Sequence, residues 1–394
     1  TRPWPAVSAY CWAIASLDRG KDFKFLMKND IRLIRWRTPE AEYAAIWVPE
    51  GFPKKITISV PGAECFDLLG SALPEKRFEI NEFPRFIRSE SLDEVLASVQ
   101  KQIAEAAPLD LVIRHNRRHV LEVRAINSLP VPWRGKLLFR TLEQPLQLLA
   151  ESEKKLEFVS SDIKSGFSGE VVAVSENGRR YHFPAKLPPY VSVPKIRIGD
   201  WRTFDFLKAA PLYELNSRQD VDPPDPFIHW TGPDDLSVKA FFGYDSENFY
   251  LMAEVTDDKH ETPFEQGDIW QNDCIQFAFD TLNDGLPDHR GYAQDDYEFG
   301  GSEGHAAWCW SGRTNRQGPA SIQSDIRRIG RKTVYRFAVP WRELQPLGPE
   351  SGRIFGFAMA VQDRDDGVNN YRISFGRGIA EGKIPASFRK MMLE

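Results

Sequence analysis

Apolar and polar residues alternate with a period of two along most of this chain, as in residues 31–36, 43–48 and 56–60. The alternation is most regular in residues 249–257 and 335–339. Because this spacing places successive side chains on opposite faces of an extended strand, it predicts half-buried antiparallel strands. Segments rich in Gly, Pro, Asn and Asp between the runs are typical of turns. The predicted fold class is therefore all-β, as consecutive antiparallel β-sandwiches.

Two segments of the N-terminal part follow a helical spacing instead. Apolar side chains recur every three or four positions in residues 5–18, before Gly20, and again in residues 91–103, before Pro108. Such spacing places the apolar residues on one face of a helix. We therefore predict one or two short helices, the first with an apolar face that needs a partner.

The length of 394 residues predicts two or three domains, since it exceeds what one ordinary hydrophobic core supports. The end of the second helix and a proline-containing linker at residues 184–189 supply the boundaries. The predicted division is an accessory β-sandwich with flanking helices at residues 1–107, a small fibronectin-like β-sandwich at 108–190 and a larger β-sandwich at 191–394.

Composition and charge limit the classes of partner. A hydrophobic fraction of 42% and a charged fraction of 27% are those of a globular protein. The net charge of -5 provides no basic surface for nucleic acid or for an anionic membrane. No apolar stretch approaches the length that spans a bilayer. We therefore expect an uncharged or weakly charged ligand, and neither nucleic acid nor a membrane as partner.

The cysteines Cys11, Cys65, Cys274 and Cys309 are far apart and lack the paired spacing of a zinc site or a disulfide framework. A Cys274–Cys309 bridge between neighbouring strands stays open beside the alternative of buried free thiols. Neither alternative identifies a cellular compartment.

Short motifs run in a fixed order through residues 191–394. They are IGDW at 198–201, DLSVKAF at 235–241, YDSENFYL at 244–251, VTDDKH at 255–260, IWQNDCIQF at 269–277, VPW at 339–341, QDRD at 362–365 and KIP at 383–385. In this order they resemble the family 9 carbohydrate-binding modules and their DOMON-like relatives. The resemblance implies a sandwich that binds poly- or oligosaccharide without catalysis, with tryptophan rings against a pyranose and polar side chains at its hydroxyls.

The N-terminal part resembles the β-sandwich that follows the barrel in large (β/α)8-barrel glycoside hydrolases. The motifs that carry this resemblance are AIW at 45–47, ITISV at 56–60 and FDLLG at 66–70. It implies that residues 5–18 form the last barrel helix and that a catalytic barrel lies upstream of Thr1. The absence of an initiator methionine agrees with a piece of a longer polypeptide. Secretion to the periplasm or the medium follows by analogy, because polymeric carbohydrate lies outside the cell.

Candidate ligand-binding residues combine an aromatic plate with planar donors and acceptors, because a sugar has apolar C–H faces and a rim of hydroxyls. The candidate rings are Trp270, Trp308 and Trp310, and the candidate polar groups are Gln271, Asn272, Glu298, His305 and Arg313. The alternative for these tryptophans is that they fill the core. Trp201 and Trp341 are assigned to the core.

An acidic turn could hold a metal ion. Asp363, Asp365 and Asp366 offer closely spaced hard oxygen ligands, which calcium prefers. They lack the full spacing of a calcium-binding loop, so a solvated turn stays open beside the structural calcium that the family resemblance allows. No other cofactor is predicted with certainty.

Catalysis and haem binding are the remaining alternatives. Glu298 with Asp295 and Asp296 could supply a paired acid and base for glycoside hydrolysis. Met252 with His260 or His305 could hold haem, as some DOMON-like sandwiches do. No convincing catalytic centre is present in the sequence.

The predicted function is non-catalytic carbohydrate binding by residues 191–394. These residues would be the accessory part of a multidomain glycoside hydrolase whose catalytic domain is absent from this chain. The alternative is a set of scaffold domains of that hydrolase without sugar binding. The sequence does not identify the sugar.

Overall fold

The computed structural model describes residues 17, 19–28, 31–48, 56–106, 109–127, 131–222, 230–286, 289–312 and 317–394. Antiparallel strands predominate among them, which confirms the all-β prediction. The helix predicted at residues 5–18 lies, apart from Leu17, outside the described residues. Within these ranges no helix has both the length and the apolar composition needed to cross a membrane.

Short strands follow one another along the chain. In the first half, helix α1 is Asp93–Ala106 and the strands are β1 (Lys21–Lys28), β2 (Ile31–Arg37), β3 (Glu42–Trp47), β4 (Ile56–Ser59), β5 (Glu64–Phe66), β6 (Arg77–Ile80), β7 (Arg85–Ser89), β8 (Leu109–Arg117), β9 (Val120–Asn127), β10 (Trp133–Phe139), β11 (Leu142–Leu148), β12 (Glu153–Val159), β13 (Ser168–Ser175), β14 (Arg180–Lys186) and β15 (Tyr190–Val193). In the second half they are β16 (Leu212–Leu215), β17 (Val221–Asp222), β18 (Leu236–Tyr244), β19 (Asn248–Asp257), β20 (Cys274–Asp280), β21 (Asp296–Ser302), β22 (Trp308–Ser311), β23 (Gly318–Pro319), β24 (Gln323–Ile329), β25 (Lys332–Pro340), β26 (Ile354–Asp365), β27 (Val368–Phe375) and β28 (Arg389–Leu393). Short 3₁₀ turns occur at Phe206–Lys208, Gln266–Gln271, Trp341–Glu343 and Pro385–Ser387.

The chain divides into two compact units. The first unit comprises Thr1–Ile113, Val123–Phe158 and Ser168–Lys186, and the second comprises Arg114–Glu122, Val159–Phe167 and Leu187–Glu394. The three-domain division at residues 107 and 190 stays a prediction.

The first unit contains a five-stranded antiparallel sheet in the order β1-β2-β3-β7-β5. Leu96 and Val99 of α1 share a buried cluster with Ile46 of this sheet. A carboxylate oxygen of Glu42 accepts the backbone N–H of Leu92 at 2.8 Å, which satisfies a donor at the start of the helix. The helical spacing of residues 91–103 is thereby confirmed.

Further short strands pair into two smaller sheets. One has the order β11-β10-β13-β14 and the other β12-β9-β8. Alternate residues such as Leu137 and Phe139 are fully buried, as the period of two predicts.

Two sheets enclose the core of the second unit. The larger runs β15-β28-β26-β20-β21-β22-β23, with β27 beside β26 and β17 beside β27, and the smaller is β16-β18-β19-β25-β24. Aromatic rings fill the space between the sheets, for example Phe249 against Phe279 edge to face at 5.2 Å. Trp341 is 5% exposed in this core, and Trp201 is 8% exposed in a second cluster, so both are core residues as predicted.

The cysteines of the described residues are not bridged. Cys65, Cys274 and Cys309 are buried free thiols. Of the two alternatives left open for Cys274 and Cys309, the structure therefore has the free thiols. Cys11 lies outside the described residues.

Candidate functional site

Strands β20, β21 and β26 present their polar side chains on the outer face of the larger sheet. Ile275, Phe277 and Phe279 of β20 point into the core, so Gln276 between them points to the opposite face. The same alternation places Glu298 of β21 on that outer face.

A connected row of polar groups crosses this outer face. Gln362 Nε2 donates to Gln276 Oε1 at 2.7 Å, and Gln276 Nε2 donates to Glu298 Oε1 at 2.9 Å. The Lys383 ammonium lies 2.7 and 2.6 Å from the two oxygens of Glu298. These four residues are named the polar row. Because each member holds the next, the row is a rigid set of donors and acceptors.

Small residues border the polar row. Gln276 lies opposite Gly300 on one neighbouring strand and opposite Ala360 on the other. A β-carbon on Gly300 would lie 2.7 Å from the Trp310 ring, so only glycine lets this ring lie so close to the sheet. The strand sequence therefore fixes both the polar row and the ring beside it.

Trp308 and Trp310 share the outer face, while Cys309 between them joins the core. Both indoles are half-buried, and Trp310 Nε1 donates to the carbonyl of Gly267 at 2.8 Å. A β-carbon on Gly267 would lie 3.5 Å from Trp308 Nε1, so the same turn covers both rings. Trp270, 43% exposed, belongs to this turn. The three predicted tryptophans are thus brought to one region.

Most of the other predicted polar residues form hydrogen bonds within loops. Gln271 Nε2 donates to Asp268 at 3.3 Å, and His305 Nε2 lies 2.9 Å from the carbonyl oxygen of Thr262. Asn272 is fully buried; its Oδ1 accepts the Phe264 N–H at 2.9 Å and its Nδ2 donates to the Phe264 carbonyl at 2.8 Å. Arg313 lies outside the described residues.

Replacing Asn272 with alanine tests this loop-holding role. We expect the free energy of unfolding to fall by about 1–2 kcal/mol, because the substitution leaves the Phe264 N–H and carbonyl unpaired. Chemical denaturation measures this change, with Gln271→Ala as the neighbouring control. A large loss of ligand affinity with unchanged stability would instead assign Asn272 to the ligand.

Sequence reasoning missed Gln276, Gln362, Lys383 and Tyr292. Lys383 Nζ lies 5.6 Å from the centre of the Tyr292 ring, and burial together with the nearby Glu298 carboxylate raises the pKa of Tyr292. The sequence held a signal for Gln276 and Gln362, because a glutamine at an outward position of an otherwise apolar strand is unusual. Lys383 and Tyr292 lie in loops and gave no such signal.

A separate acidic cluster lies at the far end of β26. Asp257, Asp363 and Asp365 place one oxygen each within 4.8 Å of one another, and Asp235 and Asp258 do the same with Asp365. Asp363 is fully buried, and within the described part of the chain neither of its oxygens has a hydrogen-bond partner. Burial and the neighbouring carboxylates raise the pKa of Asp363 to about 8.

The residues of this cluster differ in part from the predicted metal ligands. Asp363 and Asp365 belong to it, but Asp366 is exposed and pairs with Lys259 at 2.7 Å. Asp257, from β19, joins the cluster instead, since the two strand ends meet only in the folded sandwich. An all-oxygen, carboxylate-rich set whose buried Asp363 oxygens have no partner in the described part of the chain fits calcium.

The three residues considered as haem ligands lie in different parts of the second unit. Met252 is fully buried in the cluster that contains Trp201 and Phe206. His260 Nδ1 lies 3.3 Å from Asp257, at the acidic cluster. His305 is engaged with Thr262, so each of the three side chains has a packing or hydrogen-bonding role.

Comparisons with known proteins give weak likenesses. No protein-family model matches the chain, and no curated protein matches it. A family 9 carbohydrate-binding module from Caldicellulosiruptor kristjanssonii in complex with cellotriose is 15% identical, with a TM-score of 0.41, over 52% of this chain and 93% of that chain. A module of that family from the same organism in complex with glucose is 14% identical, with a TM-score of 0.39, over 52% of this chain and 95% of that one. Scores this low carry no argument about what this chain binds.

Proposed function

We propose that the second unit binds a neutral poly- or oligosaccharide, without catalysis, on the outer face of its larger sheet. The observation that carries this proposal is the polar row beside Trp308 and Trp310. The order of motifs that resembles the family 9 modules supports it independently.

The chemistry of the row suits sugar hydroxyls. Gln276 uses one N–H and one lone pair within the row, which leaves a second N–H and a second lone pair on its amide. A hydroxyl both donates and accepts, so it can engage such an amide twice. Because Glu298 and Lys383 neutralise each other, the row favours a neutral ligand over an ionic one.

The tryptophans supply the apolar half of the site. A half-buried indole presents its face to the C–H side of a pyranose and excludes water from the neighbouring hydrogen bonds. The Trp308 Nε1–H is buried and has no acceptor among the residues that the structure describes, so it offers one further donor.

The wider role is part of the proposal. Residues 45–70 resemble the sandwich that follows a glycoside hydrolase barrel, so this chain would hold an upstream catalytic domain against its polysaccharide outside the cell. The second candidate is a scaffold role for the same domains without sugar binding.

Depletion of the protein by a panel of insoluble and soluble polysaccharides tests sugar binding. We expect binding to at least one glycan, and an affinity about tenfold lower in Gln276→Ala, since one amide makes two hydrogen bonds. Gln323→Ala, an exposed glutamine on the smaller sheet, is the matched control and should bind normally. Failure to bind any glycan across a broad panel would favour the scaffold role.

We also propose that the Asp257, Asp363 and Asp365 cluster holds a structural calcium ion. Both oxygens of the buried Asp363 lack a hydrogen-bond partner among the described residues, which supports the proposal because buried carboxylates otherwise accept hydrogen bonds. Such an ion would tie the end of β19 to the end of β26.

A further inference from the structure

A second group of carboxylates lies at the opposite end of strand β20. Asp280 ends β20 and lies directly opposite Asp296, the first residue of β21, and both side chains are almost wholly buried. One oxygen each of Asp280, Asp295 and Asp296 lies within 4.8 Å of the others. These three residues are named the β20–β21 cluster.

Such an arrangement is unfavourable by itself. Like charges directly opposite on paired strands repel each other, and burial removes the water that would screen them. Burial raises the pKa of Asp296 to about 7 and raises the pKa of Asp280, and the neighbouring carboxylates add smaller increases to both. The cluster therefore needs a compensating positive charge or bound protons.

The loop that joins the two strands holds these carboxylates in place. Asp280 accepts the N–H groups of Asp284 and Gly285 at 3.0 and 3.2 Å, and Asp296 Oδ2 accepts the N–H of Ala293. Asp296 Oδ1, by contrast, is buried and meets no donor within the described ranges. Carboxylate oxygens carry two lone pairs each, so the bonded oxygens also keep capacity for a further ligand.

Lys390 is a cation whose charge acts on Asp280. It lies across Gly356 from Asp280 on the adjacent strands, and burial lowers its pKa while Asp280 raises it. Arg114 approaches Asp284 at 3.6 Å. One ammonium beside the two buried carboxylates and the half-buried Asp295 leaves an excess of negative charge at the cluster.

We propose that the β20–β21 cluster binds a divalent cation of the calcium class through Asp280, Asp295 and Asp296. Hard oxygen ligands of this density, with one oxygen that meets no donor among the residues described, match the preference of such ions. The site is separate from the one formed by Asp257, Asp363 and Asp365. The bound ion would fix the loop between β20 and β21.

That loop carries Tyr292, which lies beside Lys383 of the polar row. If the proposed sugar site is correct, occupancy of the cation site also raises glycan affinity, and this consequence alone rests on the proposed function. The cation site itself is measured without any sugar, so the two proposals can fail separately.

Calcium titration of the chelator-treated full chain by calorimetry, with thermal unfolding, tests the proposal. We expect Asp296→Asn to lower the calcium stoichiometry by one, and Asp363→Asn to lower it independently. In chelator, Asp296→Asn should raise the melting temperature because it removes a repulsion, whereas in calcium its advantage should vanish. An unchanged stoichiometry and calcium-induced shift in Asp296→Asn would overturn the proposal.

Lys390→Met separates a bound ion from internal neutralisation. Removing the competing ammonium should strengthen calcium binding about tenfold at this site, which is about 1.4 kcal/mol. If Lys390 alone neutralises the carboxylates, the variant will instead melt at a lower temperature by the same amount with and without calcium, and the proposal fails.

Discussion

Replacing Trp310 with alanine is expected to weaken glycan binding about 100-fold, a loss of about 2.7 kcal/mol. The ring lies beside the polar row, where the absence of a side chain on Gly300 leaves space for it and the Gly267 carbonyl accepts its N–H, so its removal takes away both the apolar plate and the shield against water. Trp308→Ala should have a comparable effect. Isothermal titration with the glycan that the depletion panel identifies measures the affinities.

Two controls separate lost binding from lost folding. Phe83→Ala removes an exposed aromatic ring of the first unit and should leave both the affinity and the melting temperature unchanged. Trp310→Phe keeps the plate but loses the bond to Gly267, so it should retain most of the affinity. Unaltered glycan binding in both Trp308→Ala and Trp310→Ala would refute this location of the site.

In the presence of a chelator, the free energy of unfolding is expected to fall as the pH rises from about 5 to 8. The folded-state pKa values of Asp363 and Asp273 are raised to about 8, chiefly by burial, whereas an unfolded aspartate has a pKa of about 3.9. Between these values the native state keeps protons that the unfolded state has released. Stability therefore falls with pH, by up to about 1.4 kcal/mol per pH unit for each carboxyl.

Calcium should remove most of this pH dependence. The ion binds the deprotonated carboxylates, so its affinity rises with pH, and saturating calcium should remove most of the decline. Asp363→Asn should flatten the profile in chelator and reduce the calcium effect, while Asp162→Asn, at an exposed position, should do neither. Denaturant unfolding at several pH values measures the slopes, and a stability that rises with pH in chelator would contradict the prediction.

Much of the fold could be predicted because the period of the apolar residues is a local property. The alternation in residues 249–257 and 335–339 gives strands β19 and β25, and the helical spacing after Ser91 gives α1. The order in which strands pair was not predictable in this way. Strand β20 pairs with β26, some 80 residues away, because their apolar faces complete one core.

The site was predicted only in part, for the same reason. Trp308 and Trp310 could be predicted because they lie among polar and glycine residues in the sequence. Nothing in the local sequence distinguished Gln276 or Lys383 as their neighbours. Asn272 has the type of side chain that contacts ligands, yet its amide is hydrogen-bonded to the Phe264 backbone. Composition gives the donors that are available, whereas their partners depend on which loops the fold brings together.

The sequence by itself determined the fold class, the positions of strands and of helix α1, and the core roles of Trp201 and Trp341. The strands and the helix follow from apolar side chains that repeat with the period of a strand or of a helix, and the two tryptophans follow from motifs of contiguous residues. Only the tertiary structure decided the members of the polar row and of the two acidic clusters. Asp257 and Asp363 meet because the ends of β19 and β26 converge, and Asp280 faces Asp296 because β20 pairs with β21. Such sites combine residues far apart in the chain, since burial of the shared apolar core, and not local sequence, sets the pairing of the strands.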